Sequence, residues 1–328
     1  LNSNREEKQK KMNATNINET GANYSGDLYS VDVPFLIFYA LISILITATN
    51  LFVICLFIFR IKEKSFTNLL FMSLALSDLA VGLLAIPIEI AFEMDESLFK
   101  SIAFQVFTDV IANAQTPVSL NCLLSLTIHR FFLVTRPFET TEKMTRIKKF
   151  VLAFNWLSAY GVYFIMFLMN SLFGSKYFDI YNNPGFAYSF FLISILYYSL
   201  IAVAVITFTS FTILMLSRKK RIRNLMTCSQ PINSTTHVTK HRRSIICLIL
   251  FIVTVILSQS LYVSLMPLRT FRLGVNLTLL NAAIWISFFN SLLDPIILIF
   301  FHDPIKNECN RFIGRIRLNK QRISNNQN

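Results

Sequence analysis

Two aspartates stand deep inside apolar stretches of this chain. Asp78 lies in Leu74-Ala-Leu-Ser-Asp78-Leu-Ala, and Asp294 lies in Asn290-Ser-Leu-Leu-Asp294-Pro295. Asn50 is set the same way, within Thr49-Asn50-Leu-Phe-Val. An Asp at the centre of a membrane helix costs about 2.5–3.5 kcal/mol on insertion scales. Residues of this kind therefore mark functional sites by default. The chemistry open to carboxyls in such surroundings is to take up a proton or to hold a cation. Catalysis has less to stand on. The sequence offers no nucleophile–base pair and no metal motif, and no enzyme is expected. Its five cysteines, Cys55, Cys122, Cys228, Cys247 and Cys309, follow no spaced metal or disulfide framework. Three of them lie in or beside apolar runs, where a buried free thiol is the ordinary reading.

The elements that must position these residues are long and apolar. Of 328 residues, 54% are hydrophobic and only 15% charged, where a soluble domain carries about a quarter charged residues. Thirty-two Phe against eight Gly, with a mean hydropathy of +0.52, is more apolar mass than one soluble core can hide. Seven runs can be marked, at 33–59, 67–92, 102–134, 148–173, 186–216, 244–268 and 276–301. Each exceeds the roughly 20 residues that cross hydrocarbon as a helix. All are too long and too continuously apolar for the strands of a membrane barrel. The expected fold class is thus an all-α membrane protein, a seven-transmembrane-helix bundle. It divides into an N-terminal tail at 1–32, a seven-span domain at 33–301 and a C-terminal amphipathic helix and tail at 302–328.

A net charge of +13 could suggest nucleic acid. Here, however, the basic residues cluster between the apolar runs, and no nucleic-acid partner is expected. The first, third and fifth connections carry Arg60, Lys62 and Lys64, then Arg136, Lys143, Arg146, Lys148 and Lys149, then Arg218 to Arg223 with Lys240, Arg242 and Arg243. The C-terminal segment adds Lys306, Arg311, Arg315, Arg317, Lys320 and Arg322. The second, fourth and sixth connections hold only Lys100, Lys176, Arg269 and Arg272. Cytoplasmic loops are the Lys- and Arg-rich ones, so the N-terminus is expected outside and the C-terminus inside, in the plasma membrane. The acceptor triplets at Asn13, Asn18 and Asn23 agree, because all three fall in the outer tail. Asn233-Ser-Thr235 also matches the pattern but falls on the inner side and should stay bare. Residues Leu1 to Val31 show no signal-peptide pattern, and Met12 is a candidate start, with Leu1 to Lys11 an extension before it.

With seven spans in hand, the intramembrane residues resemble those of the rhodopsin-like G-protein-coupled receptors. Asn50 looks like the Asn of their first helix, and Leu74-Ala-Leu-Ser-Asp78 looks like the LAxxD of their second. His129-Arg130-Phe131 resembles the DRY triplet ending the third helix. Trp156 resembles the fourth-helix Trp, and Asn290-Ser291-x-x-Asp294-Pro295 resembles the seventh-helix NSxxNP/DP motif. The likeness runs from about residue 33 to 315, in order and in register. It implies a receptor whose partners are an extracellular ligand, a heterotrimeric G protein and the lipid bilayer, with His129, Arg130 and Phe131 at the coupling face. It also implies that Asp78, Ser119, Asn290, Ser291 and Asp294 form the family's sodium-binding cluster, since two neighbouring carboxylates in a low dielectric need a shared cation or a proton. A neutral, hydrated hydrogen-bond network is the other reading. No other cofactor is implied. Ala112 and Ser119 lie eighteen and eleven residues before Arg130. At about 100° per residue, both fall near the face of Arg130. One stripe would then join an outer pocket, a mid-membrane polar layer and a cytoplasmic Arg, although helix packing alone would also explain Ser119.

Several positions depart from the family pattern. His129 replaces the acid that precedes the Arg, and Leu298 replaces the seventh-helix Tyr. With Phe251 aligned to the family's sixth-helix Phe, Thr254, Val255 and Leu257 stand where Cys, Trp and Pro are expected. Pro267 comes too late to be that Pro. The fifth run has no Pro between Phe186 and Ser217. Gln105 stands where the third-helix disulfide Cys is usual, and Gly174 to Gly185 contains no Cys. A receptor active without ligand, or a decoy, is compatible with these departures.

On the ligand side, Glu89, Asp109, Ala112, Asn113 and Thr116 are the candidate lining positions. Ala112, where amine receptors of the family carry Asp, argues against a monoamine. No Lys occurs between Lys240 and Lys306, which excludes an opsin-type Schiff base. The missing disulfide, the Asp-Pro pair and the acids near Glu89 and Asp109 are similar to the melanocortin-like branch. Glu89, Glu93, Asp95 and Glu96 could attract a cation or simply solvate a loop. After the seventh run, Asp303 as N-cap and Pro304 at N1 predict a helix start. Ile305, Phe312, Ile313 and Ile316 give it an apolar face beside Arg311 and Arg315, as in a helix lying on the inner leaflet. Cys309 on this helix is a lipidation candidate. A multi-pass transporter is the alternative from another class, but the paired repeats and Gly-broken helices of transporters are not seen. An inverted seven-helix channel would need the N-terminus inside.

Overall fold

The structure is a computed structural model. It describes residues 33–63, 65–94, 102–173, 184–226, 235–270 and 276–325. Chain contacts divide it into Leu1–Phe38 and Tyr39–Asn328. Only the opening of the first helix, 33–38, is described in the first unit, and everything below concerns the second. The elements are α1 (Val33–Cys55), a π-helical turn Leu56–Arg60, α2 (Phe66–Ala80), a π-helical turn Val81–Ala85, α3 (Ile86–Met94), α4 (Ile102–Thr135), α5 (Pro137–Phe173), α6 (Pro184–Met226), α7 (Thr235–Thr270), α8 (Leu277–Phe301) and α9 (Asp303–Asn325). The first span is α1 with its π turn, and the second is α2, its π turn and α3. Spans three to seven are α4 to α8.

Six of the spans are long and apolar enough to cross a bilayer by length and composition, and α5 supplies the seventh helix of the fold. The helices extend past the apolar runs at several ends, most clearly at α6, which continues through the basic Arg218–Arg223 stretch, and at α7, which starts at Thr235. Backbone hydrogen bonding needs no apolar side chains, so the runs mark the lipid-embedded part of each helix and not its full length.

Large apolar side chains point outward over these helices: Phe59, Phe150, Leu157 and Leu200 are each exposed by more than two thirds. In water such a surface would be an aggregation site. In lipid it is the expected outer face of each span. The polar residues turn inward instead. Asn50, Ser77, Asp78, Gln115, Thr127, Asn155, Asn290 and Asp294 are all buried.

Helix α4 is central. It packs against α2, α3, α5, α6 and α7, while α7 runs along α8. The first and second spans approach closely at Gly82, in the second π turn. Ser43 Oγ donates to the Gly82 carbonyl at 2.6 Å. A Cβ on Gly82 would sit 2.6 Å from Thr47 Oγ1 and 3.0 Å from the Thr47 backbone nitrogen. Only a residue without a side chain fits there. Ser65 caps α2 by accepting from the Asn68 backbone N–H at 3.3 Å.

The junction of α8 and α9 differs in detail from the expected cap. The Lys306 N–H donates to the His302 carbonyl at 3.0 Å, which makes His302 the capping residue and places Asp303 and Pro304 in the first turn. Both still suit it. Those first amides lack intrahelical acceptors anyway, and a carboxylate there faces the positive end of the helix dipole. The face of α9 also splits. Ile305 and Cys309 turn into the core, and the exposed large apolar side chains among the described residues of α9 are Phe312, Ile313 and Leu318. The first turns of α9 therefore pack on protein, and the later ones carry the free apolar face. The side chain of Ile316 is outside the described residues.

Candidate functional site

The mid-membrane layer is built from residues of α1, α2, α4 and α8. From α1, Asn50 Nδ2 donates to the Ile46 carbonyl at 3.0 Å and to the Ser291 carbonyl at 2.9 Å, so a single side chain ties the first span to the seventh. From α2, Asp78 accepts a hydrogen bond from Ser291, and its carboxyl adjoins that of Asp294. From α8, Asn290 Nδ2 reaches Asp294 Oδ2 at 3.5 Å. The structure thus brings Asp78, Asn290, Ser291 and Asp294 together. Ser119 of α4 is buried nearby but donates to Ser77 Oγ at 3.1 Å, while Ser77 donates to the Gln115 carbonyl at 2.9 Å. It joins the layer through the neighbour of Asp78, not through Asp78 itself.

Acceptors exceed donors in this layer. Asn50 Oδ1, Asp78 Oδ2, Asn290 Oδ1 and Asp294 Oδ1 are buried and receive no hydrogen bond among the described residues. A buried unpaired oxygen is costly. Several in one polar layer, around two adjoining carboxyls, fit a small hard cation that takes oxygen ligands or a shared proton with water. Among the described residues no cluster of three or more His, Cys, Asp or Glu suits a transition metal.

Toward the C-terminal end of α4, the Arg of the expected triplet stands in a different setting from the one its usual acid would give. His129 is buried, with Nδ1 3.4 Å from Thr67 Oγ1 and its ring edge-on to Phe66 at a centroid distance of 4.9 Å. It turns to the start of α2. Arg130 pairs with no carboxylate among the described residues; its charge is felt at Cys247 of α7 and at His302. Phe131 packs on Phe208 and Phe211 of α6, at 5.5 and 6.4 Å.

His302 lies at the α8–α9 junction, edge-on to Phe71 at 4.8 Å. Its Nε2 is 3.0 Å from Asn68 Oδ1. Because Asn68 Nδ2 already donates to the Glu63 carbonyl at 2.8 Å, Oδ1 is the acceptor and the imidazole carries its proton on Nε2. Burial first, and the charge of Arg130 second, push the His302 pKa down to about 4. The ring is therefore neutral near pH 7.

Sequence reasoning passed over a second polar network. Asn121 Nδ2 donates to the Asn155 carbonyl at 3.1 Å and to Ser158 Oγ at 2.9 Å. Tyr197 OH donates to Asn121 Oδ1 at 2.8 Å, and Ser125 Oγ to Asn155 Oδ1 at 3.0 Å. This clamp joins α4, α5 and α6. The cost argument that singled out Asn50 applies equally to Asn121 and Asn155, and was the available signal. Trp156, expected from its motif, donates from Nε1 to Ser73 Oγ at 2.8 Å.

Of the candidate ligand positions, Glu89 lies partly buried on α3, and Asn113 and Thr116 lie partly buried on α4, which packs against α3. Asp109 and Ala112 fall on α4, but their side chains are outside the described residues, as is that of Gln105. Asn13, Asn18, Asn23 and Asn233 are also outside them. Cys309 is buried against the core, so an acyl chain could reach its thiol only if α9 turned outward.

Comparison with known proteins bears on this arrangement. The sequence profile of the seven-transmembrane receptor (rhodopsin family) matches residues 49–298. A probable G-protein coupled receptor No9 from Amphibalanus amphitrite is 29% identical over 127 residues, which cover 38% of this chain and 26% of that protein. The matched segment is thus about a quarter of that relative's length. The crystal structure of squid rhodopsin superposes with a TM-score of 0.70 at 16% identity, covering 85% of this chain and 84% of that one. That likeness is one of fold. Most of the chain falls within the matched profile. The chain belongs to the rhodopsin family of seven-transmembrane receptors.

Proposed function

We propose that this receptor resides in the plasma membrane with its N-terminus outside, binds an extracellular ligand and activates heterotrimeric G proteins through Arg130. The observation that carries the reading is the setting of Arg130. It lies in the last turns of the central helix, on the side that the Lys and Arg count assigns to the cytoplasm, and no acid among the described residues holds it. Arg130 is the contact offered to the G protein, and His129 and Phe131 fix it from either side by packing on α2 and α6. A ligand would enter between α3 and α4, where Glu89, Asp109, Ala112, Asn113 and Thr116 are the candidate contacts. The test is nucleotide exchange on a panel of purified G proteins. Arg130→Ala is expected to reach the surface at the parent level yet catalyse exchange at least about tenfold more slowly. Undiminished exchange by that variant would place coupling elsewhere. Absence of exchange by the parent on every G protein would favour a decoy.

The polar layer supports sodium as an allosteric ligand, with Asp78 and Asp294 as charged ligands and Asn290, Ser291 and Ser119 completing the surroundings. A sodium ion there would offset one of the two carboxylate charges, leaving the other to a proton, and tie the second span to the seventh. Sodium is expected to lower basal exchange relative to a large organic cation at equal ionic strength, and Asp78→Ala should abolish the difference. Identical behaviour of the two cations in the parent would exclude a sodium site.

A further inference from the structure

The elements that cover Arg130 are joined to each other at the surface. Arg243 Nη1 of α7 lies 3.2 Å from Asp303 Oδ1 in the first turn of α9. Arg243, Cys247 and Phe251 are spaced four residues apart and so share one face of α7. Phe251 is fully buried and packs on Phe71. Cys247 is buried and within the field of Arg130. Arg243 is the cytoplasmic end of that stripe. On the other side of the contact, Asp303 directly follows His302, which is also within the field of Arg130 and is fastened to Asn68. Each partner of the ion pair therefore extends an element tied to α4: α7 packs against α4, and His302 reaches Asn68, the neighbour of the Thr67 that meets His129. A macromolecule approaching Arg130 from the cytoplasm meets α7 on one side and the α8–α9 junction on the other.

We infer that the Arg243–Asp303 pair is a positioning contact that holds α7 to the α8–α9 junction and keeps the G-protein site at Arg130 closed in the resting receptor. The inference rests on the G-protein reading of this face. It assigns to a contact between α7 and α9 the restraint that the acid beside the Arg supplies in most of the family. The geometry suits a contact that must open. The pair makes one hydrogen bond, and its side chains are 56% and 27% exposed. Exposed pairs of this kind are weak, enough to bias two arrangements and easily replaced by contacts to an entering partner. Asp303 also sits at the positive end of the α9 dipole, so it stays oriented when Arg243 departs.

The experiment uses the full receptor in lipid nanodiscs, at matched amounts, with purified G-protein heterotrimers, labelled guanine nucleotide and no ligand. Arg243→Gln and Asp303→Asn are each expected to raise basal exchange about two- to fivefold. Arg243→Asp combined with Asp303→Arg restores the pair in reverse and is expected to return the rate to the parent level, as is Arg243→Lys. Amide hydrogen exchange of the segment holding His302 and Lys306 provides a second readout that needs no G protein. It should quicken in both single variants and recover in the reversed pair. Arg243→Gln is the sharper of the two, because it leaves Asp303 in the first turn of α9 and reports only the lost pair. Parent-level rates in the single variants, or a reversed pair that behaves like them, would overturn the inference and make the contact an ordinary solvated surface pair. If no protein in the series acts on any G protein, the coupling reading fails by itself. Hydrogen exchange then still decides the contact: unchanged protection in Arg243→Gln refutes it, and quickened protection restored by the reversed pair upholds it.

Discussion

His129 occupies the position at which most members of the family carry an acid, and its surroundings set how tightly the resting state is held. A partly buried acid–Arg pair contributes about 1–2 kcal/mol, and 1.4 kcal/mol is a factor of ten in an equilibrium. His129 cannot supply that hold. Its ring is engaged with Thr67 and Phe66, and a protonated imidazole would repel Arg130. The exposed Arg243–Asp303 contact replaces only part of it, since exposed pairs contribute about 0–1 kcal/mol. Measurable ligand-free exchange is the consequence. His129→Asp should reduce it by roughly tenfold at matched surface expression, with basal nucleotide exchange as the measurement. Equal or faster exchange in the Asp variant would show that the helix contacts around Arg130 already restrain it. Asp78, Asp294 and Asn50 were legible in the sequence because a polar group in an apolar run is costly wherever the helix happens to face. The partner of a surface Arg was not. Whether Arg243 meets Asp303 or water depends on how two helix ends are rotated, and sixty residues separate them in the chain.

Among the elements, the second span shows how local backbone geometry serves the site. The π turn at Val81–Ala85 begins three residues after Asp78 and presses Gly82 onto Thr47. Gly82→Ala should therefore lower stability by about 1–3 kcal/mol, as overpacking does, with a lower melting temperature in detergent. The Thr47 backbone nitrogen lies within 3.0 Å of the added Cβ, so trimming Thr47 to Ala should restore only part of the loss. A melting temperature equal to the parent's would show that the two helices can separate freely at this point. The seven spans were legible as apolar runs, but their ends were not, because the helices continue into basic and polar sequence. The π turns carry no composition signal of their own. The face of α9 was half legible. Spacing put Ile305 and Phe312 on one apolar side, while packing sends Ile305 and Cys309 to the core and leaves Phe312 outside.

For the whole molecule, the asymmetry of Lys and Arg assigns every connection to one side of the membrane, and with it the glycan acceptors. Asn13, Asn18 and Asn23 should each carry a glycan, and Asn233 should carry none. Single Asn→Gln variants followed by glycosidase mobility shifts test each position. A glycan lost on changing Asn233 would invert the topology and remove the cytoplasmic assignment of Arg130. The fold allows little else to vary, because the polar layer, the Asn121 clamp and the Gly82 contact each join different pairs of spans. The sequence lacks the fifth-helix Pro and the sixth-helix Trp and Pro of its relatives, yet α6 and α7 take their places in the bundle. The packing of apolar faces and the inward polar groups suffice for the architecture.

The hydrogen bonds that flank His302, from its own N–H to Leu298 and from Lys306 to its carbonyl, make α8 and α9 nearly one mechanical part. Helix α9 has 23 residues, about 34 Å at 1.5 Å per residue. A tilt of α8 of about 5° passed through that joint would carry the far end of α9 through about 3 Å, by lever arithmetic on that length. The receptor thus has a built-in pointer with mechanical gain, in which an angular change too small to register in the polar layer becomes a displacement of a basic helix as large as a hydrogen-bond length.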